Sequence, residues 1–308
     1  MRRQVYNLAR RTMTQDRRNK VKRRIWRARM RMAPLYRARY GTFGADELEG
    51  ELARHVPPDT EIVMVHSSLD GLRPMYAGDI KQLLDALIDL CGTHRTLAMP
   101  AFFLGGRSLD PIAYFREQPV FDVRHKPSET GLLTEVFRRR KGVRRSLHPV
   151  QSVIALGPQA EELVAGHHLA KTSFGEGTPF AVMAERRTAI IGIGIEYFRS
   201  LTQVHAAEDL LGDRYPLAVR PSTLPVQLTD FDGTVHHYEL PFNESVMPWR
   251  TERLEKLLDS DELAQWSFHG TPLFVTSAAR VTEVLMDAAL RGETIYDAMP
   301  IRGSSARR

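Results

Sequence analysis

From about Asp46 onward the chain alternates short apolar runs with segments of helical periodicity, and this alternation leaves few architectures open. "EIVMV" (Glu61–Val65) is a compact run rich in β-branched residues, as a buried strand requires. "IKQLLDALIDL" follows with apolar residues three and four apart, and "TLAMPAF" is a second strand. The series continues with a helix "ETGLLTEVFRRRKG" ending at Gly142, a strand "SVIALG" and a helix "QAEELVAGH". A helix "TPFAVMAERR" opens on a Thr-Pro pair suited to a helix N-terminus, and "TAIIGIGI" is a fourth strand. "SLTQVHAAEDLLG" (Ser200–Gly212) reads as a helix that Thr202 starts. "STLPVQLTDFDGTVHHYEL" reads as two strands joined by an Asp-Gly turn, and "PLFVT" leads into a last helix, "AARVTEVLMDAALRG". Strands alternating with helices predict an α/β domain with a mixed, mostly parallel central sheet flanked by helices.

The 308 residues, 43% hydrophobic, suffice for a large buried core. Cys91 is the single cysteine, so no internal disulfide and no multi-thiolate zinc site can form, and a reducing cytoplasm is expected. No apolar run approaches the roughly 18 residues of a membrane span, and the N-terminus lacks the apolar middle of a secretory signal.

The net charge of +6 conceals two unlike objects. Residues 1–40 hold fifteen lysines and arginines against one acid, Asp16, giving +14, while the rest of the chain is −8. Within this arm Val21, Ile25, Ala28, Met32 and Leu35 recur at helical spacing. A basic amphipathic arm over 1–40 and a separate domain over 41–308 are therefore expected. Such an arm can lie on an anionic membrane, bind nucleic acid, or dock on the acidic body. Aromatic interleaving and RNA-module signatures are missing, which counts against nucleic acid.

Four junctions between elements carry polar clusters, and such junctions are where α/β domains build sites. His66, Ser67 and Ser68 follow the first strand; Arg145, Ser146 and His148 precede the third. Phe174 and Gly175 stand in "SFGEGTPF", whose glycines free backbone amides near a helix N-terminus, a geometry suited to phosphate. In Ser200–Gly212, His205 and Glu208 lie three apart on one helix face. A metal would need a third ligand from His66 or His148, and no HExxH spacing exists. A serine hydrolase would want a G-x-S-x-G elbow, which is missing. "GIGI" lacks the third glycine of a dinucleotide fingerprint. His205 as a general base, its ring oriented by an acid, asks for nothing further.

The ordered set "VHSSL", "LAMPAF", "RRSLHPVQSVIALGPQAEEL", "SFGEGTPF", "AIIGIGI" and "TQVHAAE" resembles the aminoglycoside 3-N-acetyltransferase family over Leu48–Arg291. The R-S-x-H-P, F-G-x-G-[ST]-P and T-x-x-H-x-x-E combination is specific. The resemblance implies the antibiotic N-acetyltransferase fold and transfer of acetyl from acetyl-CoA to an amine, without a metal. It implies His205 as catalytic base within Thr202–Glu208, oriented by Glu244 beyond the Asp-Gly turn, with Thr202 and Glu208 beside it. It further implies that His66, Ser67, Ser68, Arg145, Ser146, His148, Phe174 and Gly175 line the CoA channel, and that Cys91 is not needed as a nucleophile.

Two departures bear on the acceptor. "IEYFRS", with Tyr197 and Phe198, lengthens the connection before Thr202 along the acceptor side, and the basic arm is no usual part of a drug-modifying enzyme. An amino sugar, or a lipid-linked sugar reached from the inner membrane face through residues 1–40, is then as good an acceptor as an aminoglycoside. The expected partners are this small amine, that membrane surface and a second copy in a homodimer. O-acylation of a sugar hydroxyl and a non-catalytic binding role stay open alongside.

Overall fold

The computed structural model describes residues 15–106, 110–217, 221–243 and 250–296. Helices α1 (Gln15–Arg31) and α2 (Ala33–Tyr40) precede α3 (Ala45–Ala53). Strand β1 (Ile62–Ser67) leads through a one-turn helix, α4 (Leu69–Leu72), to α5 (Ile80–Cys91) and β2 (Thr96–Pro100). Then come α6 (Pro111–Glu117), β3 (Val120–Asp122), α7 (Leu132–Arg138), β4 (Arg144–Arg145) and β5 (Val153–Leu156). They are followed by α8 (Ala160–Val164), α9 (Pro179–Glu185) and β6 (Thr188–Ile193). A 3-10 turn, Thr202–His205, runs into α10 (Ala206–Leu211). The hairpin β7 (Pro221–Thr229) and β8 (Val235–Asn243), then β9 (Leu263–Phe268), β10 (Thr271–Ser277) and α11 (Ala278–Leu290), complete the order.

Seven strands form one mixed sheet in the order β4-β5-β2-β1-β6-β10-β9. Its centre, β2-β1-β6, is parallel, and the pairs on either side are antiparallel. The hairpin forms a second, three-stranded sheet with β3. Alternation along β1 divides the interior: Ile62 and Met64 join the core beneath α8, α9, α10 and α11, while Val63 and Val65 face α3, α5 and α7. Truncating a large buried chain such as Phe137 to alanine would cost about 3–5 kcal/mol.

Local chemistry sets the helix starts. Asp79 Oδ1 accepts the Lys81 and Gln82 amides at 2.8 Å, and Gln82 returns a bond to the Asp79 amide, a capping box that fixes α5. Thr178 caps α9, with Pro179 in its first turn. Strands β3, β4 and β9 add to what the sequence suggests: the first two are three and two residues long, and β9 is an edge strand with polar residues facing out. The helix expected to run to Gly142 stops at Arg138, and the segment from Ser200 begins as a tight 3-10 turn rather than a regular helix.

The ends of β1 and β6 are clasped by two glycines. A Cβ on Gly71 would stand 1.7 Å from the Gly194 carbonyl oxygen, and Gly194 itself has φ +71°. The Ser68 amide donates to the Ile193 carbonyl at 2.9 Å, so this contact fixes where Ser67 and Ser68 emerge from the sheet.

Candidate active site

His205 sits where the 3-10 turn becomes α10, with 23% of its side chain exposed. Its Nδ1 lies 3.0 Å from Glu208 Oε1. A carboxylate only accepts, so the ring nitrogen facing it carries the proton, and Nε2 is the nitrogen able to take up another. The Tyr296 hydroxyl donates to the same Glu208 oxygen. Burial and the adjacent Glu208 charge push the Tyr296 phenol pKa up, so it stays a neutral donor. Burial pulls the His205 imidazole down, but the Glu208 hydrogen bond and charge, with Asp209 behind them, outweigh it and hold the pKa above the ordinary histidine value.

Phe174 lies against the base, its ring centroid 5.2 Å from that of His205. Its amide donates to Asp209 Oδ2 at 2.8 Å, so α10 and the loop around Gly175 are tied together beside the imidazole. Asp209 is raised above the usual carboxylate range mainly by burial. A Cβ on Gly175 would meet Thr172 Oγ1 at 2.5 Å and Asp209 Cβ at 3.1 Å. Among the sequence-derived residues, His205, Glu208, Phe174 and Gly175 thus converge. Glu244 lies outside the described residues.

Ser146 and His148 occupy a sealed network one layer deeper, and both are fully buried. His148 Nδ1 accepts the Val150 and Gln151 amides at 3.1 and 2.9 Å, which leaves Nε2–H to donate to Ser173 Oγ at 3.2 Å. His167, its ring centroid 4.4 Å from that of His148 and tilted 31° to it, donates from Nε2 to the Ser173 carbonyl. Its Nδ1 accepts the Ser146 hydroxyl at 2.9 Å, and Ser146 Oγ accepts the Val153 amide. Burial depresses the pKa of both rings, His167 to about 3, so both are neutral. These bonds hold Ser173, and hence Phe174, in place. Nothing in the sequence beyond the His-His pair at 167–168 signals His167.

Arg145 is also interior. Its Nε donates to Ser152 Oγ, and its amino nitrogens donate to the Ala101, Val123 and Lys126 carbonyls. Burial lowers its pKa to about 9, which leaves it charged at neutral pH. It borders an open cavity of about 420 Å³ shared with Arg124, Arg138, Arg139 and His125.

Ser67 and Ser68 are half-buried at the strand end. His66 Nε2 and Thr202 Oγ1 are buried polar atoms without a hydrogen-bond partner among the described residues, open positions for a ligand group. Burial pushes His66 down to about 4. The Cys91 thiol, buried in α5, is pushed up to about 12 by burial, so it is no thiolate. Tyr197, expected along the acceptor side, instead buries its ring in the core, edge-on to Phe198 and Phe274. Among the described residues no three His, Cys, Asp or Glu side chains converge as a metal-binding group, and no helix is long and apolar enough to cross a membrane.

Residues 64–288 match the profile of a family described as aminoglycoside 3-N-acetyltransferase. The aminoglycoside N(3)-acetyltransferase IX of Micromonospora chalcea is 27% identical over 192 residues, 57% of this chain and 68% of that protein. The aminoglycoside N(3)-acetyltransferase III of Salmonella sp is 29% identical over 167 residues, 50% of this chain and 57% of that one, so matched sequence spans little more than half of several curated relatives. Among solved structures, aminoglycoside acetyltransferase AAC(3)-Xa superposes with a TM-score of 0.67 at 21% identity, covering 85% of this chain and 98% of the other. AAC-IIIb in a binary complex with CoASH gives 0.67 at 22%, covering 83% and 100%. Sisomicin-bound AAC-VIa gives 0.65 at 23%, covering 82% and 100%.

Proposed function

The chain belongs to the aminoglycoside 3-N-acetyltransferase family, a family of acyltransferases, and on that premise we propose that it moves the acetyl group of acetyl-CoA onto an amine of an aminoglycoside or amino sugar. The observation that carries this reading is the His205–Glu208 pair, a partly exposed imidazole with a carboxylate on Nδ1. The CoASH complex of AAC-IIIb and the sisomicin complex of AAC-VIa support the two substrate classes.

An amine acceptor is largely protonated near neutrality and attacks only as the free amine, its ammonium proton given up to solvent beforehand. His205 Nε2 takes the proton that the acceptor nitrogen loses as its C–N bond forms at the thioester carbonyl. The C–S bond then breaks, and the proton departs with sulfur as the free thiol. Glu208 fixes the ring tautomer and stabilises the imidazolium, while Tyr296 holds Glu208. A base so placed contributes on the order of 10²–10⁴-fold. In this reading Thr202 and backbone amides near the strand ends polarise the carbonyl, and Glu244, the orienting acid that the family resemblance implies, serves the imidazolium alongside Glu208. His66, Ser67, Ser68, Phe174 and Gly175 line the donor side. Arg124, Arg138 and Arg139, around the cavity that Arg145 borders, complement the phosphates of the nucleotide end, while Arg145 braces that wall through its interior bonds and Ser146 and His148 support Phe174 from below. Catalysis takes place in the cytoplasm, in a domain spanning 41–308 that can pair as a homodimer.

The test is thiol release from acetyl-CoA by the full-length protein across aminoglycosides, simple amino sugars and nucleotide-linked amino sugars. Release with at least one amine, and none without acceptor, supports the reading. No release with any amine, together with no heat of CoA binding, overturns it.

A further inference from the structure

The sequence suggests an amphipathic arm; the structure shows which of its faces is already used. Arg29 donates to the Asp70 and Gly71 carbonyls at the end of α4, and Arg37 donates to the Pro74 carbonyl at 3.0 Å. Tyr36 packs against the core beneath α3, and the Tyr40 carbonyl bonds His269 Nδ1. The arm is thus seated on the body through Arg29, Tyr36, Arg37 and Tyr40.

The apolar residues at helical spacing lie elsewhere. Val21, Ile25, Met32 and Leu35 are 37%, 63%, 48% and 65% exposed, and Ala28 between them is exposed as well. The bonds from the Met32 amide to Ala28 and from the Tyr36 amide to Met32 carry the helical register across the α1–α2 junction, so the five residues form one continuous stripe. Lys20, Arg24, Arg27 and Arg31, all exposed, run along one flank. Lys20, Arg23, Arg24 and Arg27 enclose a shallow recess of about 230 Å³.

We propose that α1 and α2 form an interfacial anchor that lays the protein on an anionic lipid surface. Val21, Ile25, Ala28, Met32 and Leu35 enter the boundary between headgroups and acyl chains, and the flanking cations take the lipid phosphates. Charge complementarity alone would suit a nucleic acid equally. An exposed aliphatic stripe between cations gains nothing from a phosphodiester backbone, whereas in the bilayer interface both faces are satisfied at once. The inference stands independently of the acyl-transfer reading.

The experiment is flotation of the full-length protein with phosphatidylglycerol-rich and with pure phosphatidylcholine vesicles. Recovery with the anionic vesicles should exceed recovery with neutral ones by at least about tenfold and fall at high salt. The I25D/L35D double variant and, separately, R24E/R27E should each lose about tenfold in recovery, with the far-ultraviolet circular dichroism and thermal midpoint unchanged. Flotation of I25D/L35D at the wild-type level overturns the proposal. So does equal recovery on both vesicle types, or binding of a DNA duplex by wild type and I25D/L35D alike in the absence of flotation.

Discussion

Glu208 Oε1 lies 3.0 Å from His205 Nδ1, and the same oxygen accepts the hydroxyl of Tyr296, almost ninety residues further along the chain. One carboxylate therefore fixes the imidazole from one side and is itself fixed from the other. The negative charge that holds the ring also stabilises its protonated form, which is why His205 titrates above the ordinary histidine value despite burial.

The charge and the hydrogen bond can be separated by Glu208→Gln. The amide can still accept from Nδ1–H but offers no charge, so the His205 pKa should fall. Activity requires the unprotonated base, so the acidic limb of the kcat/KM profile should move to lower pH, with kcat down by on the order of 10²-fold. A profile with its acidic limb unmoved would remove Glu208 from the mechanism. Tyr296→Phe keeps the charge and should cost about 1 kcal/mol in the transition state, with little movement of the limb.

Removal of the base itself should separate chemistry from binding. His205→Ala should lower kcat by roughly 10²–10⁴-fold, while the affinity for CoA measured by calorimetry stays within a few-fold of wild type. Near-normal turnover in this variant would defeat the assignment. A parallel loss of CoA affinity would show that the ring binds the donor rather than serving the acceptor.

Much of this arrangement is legible in the sequence. The strand and helix alternation gives the central strands and the helices over both faces, because period-two and 3.6-residue patterns are direct consequences of burial. T-x-x-H-x-x-E brings His205 and Glu208 forward by motif, while Glu244, which the resemblance implies as the orienting acid, lies outside the described residues. Spacing alone cannot say that a 3-10 turn at Thr202–His205 swings Nδ1 onto the near carboxylate. Tyr296 and His167 carry no local signal, since their roles arise from contacts across the fold. Ser146, His148 and Arg145 look like ligand-facing polar residues in sequence, and the structure shows their donors taken by protein partners. A polar residue near a strand end reads the same whether it faces a ligand or a buried carbonyl.

Two glycine substitutions should move stability in opposite directions. Gly71→Ala would put a Cβ 1.7 Å from the Gly194 carbonyl, where backbone meets backbone and neither can yield cheaply. A loss of about 1–3 kcal/mol or more is expected, together with reduced turnover as the turn carrying Ser68 shifts. Gly50, inside α3, has nothing within 4 Å of an added Cβ, so Gly50→Ala should stabilise by about 0.5–1 kcal/mol. Chemical denaturation of both variants checks this, and a neutral Gly71→Ala would show that the clasp between β1 and β6 is loose.

Acid should unfold the protein through its buried histidines before its carboxylates. His66, His148 and His167 are interior, and burial holds His66 near 4 and His167 near 3, with His148 well below its ordinary value. In the unfolded chain each binds a proton near the ordinary histidine value of 6.5. Below that value the unfolded state is protonated while the folded state is not, so their contribution is intact above about pH 6.5 and is lost as pH falls toward 4. Each neutral ring then contributes about 1.4 kcal/mol of lost stability per pH unit, so three together set a ceiling near 4 kcal/mol per unit. His205 has the opposite shift, and its contribution is already complete below its unfolded pKa, so it leaves this slope unchanged. Asp122 and Glu135, each held near 2 against burial by hydrogen bonds to neighbouring basic side chains and backbone amides, add their loss only at lower pH. Urea unfolding between about pH 7 and about pH 5 should show the steep fall. His66→Leu, which removes a ring whose Nε2 has no partner among the described residues, should flatten the slope by about one third. Stability that holds level over this range would mean that the three rings are hydrated and charged in the native state.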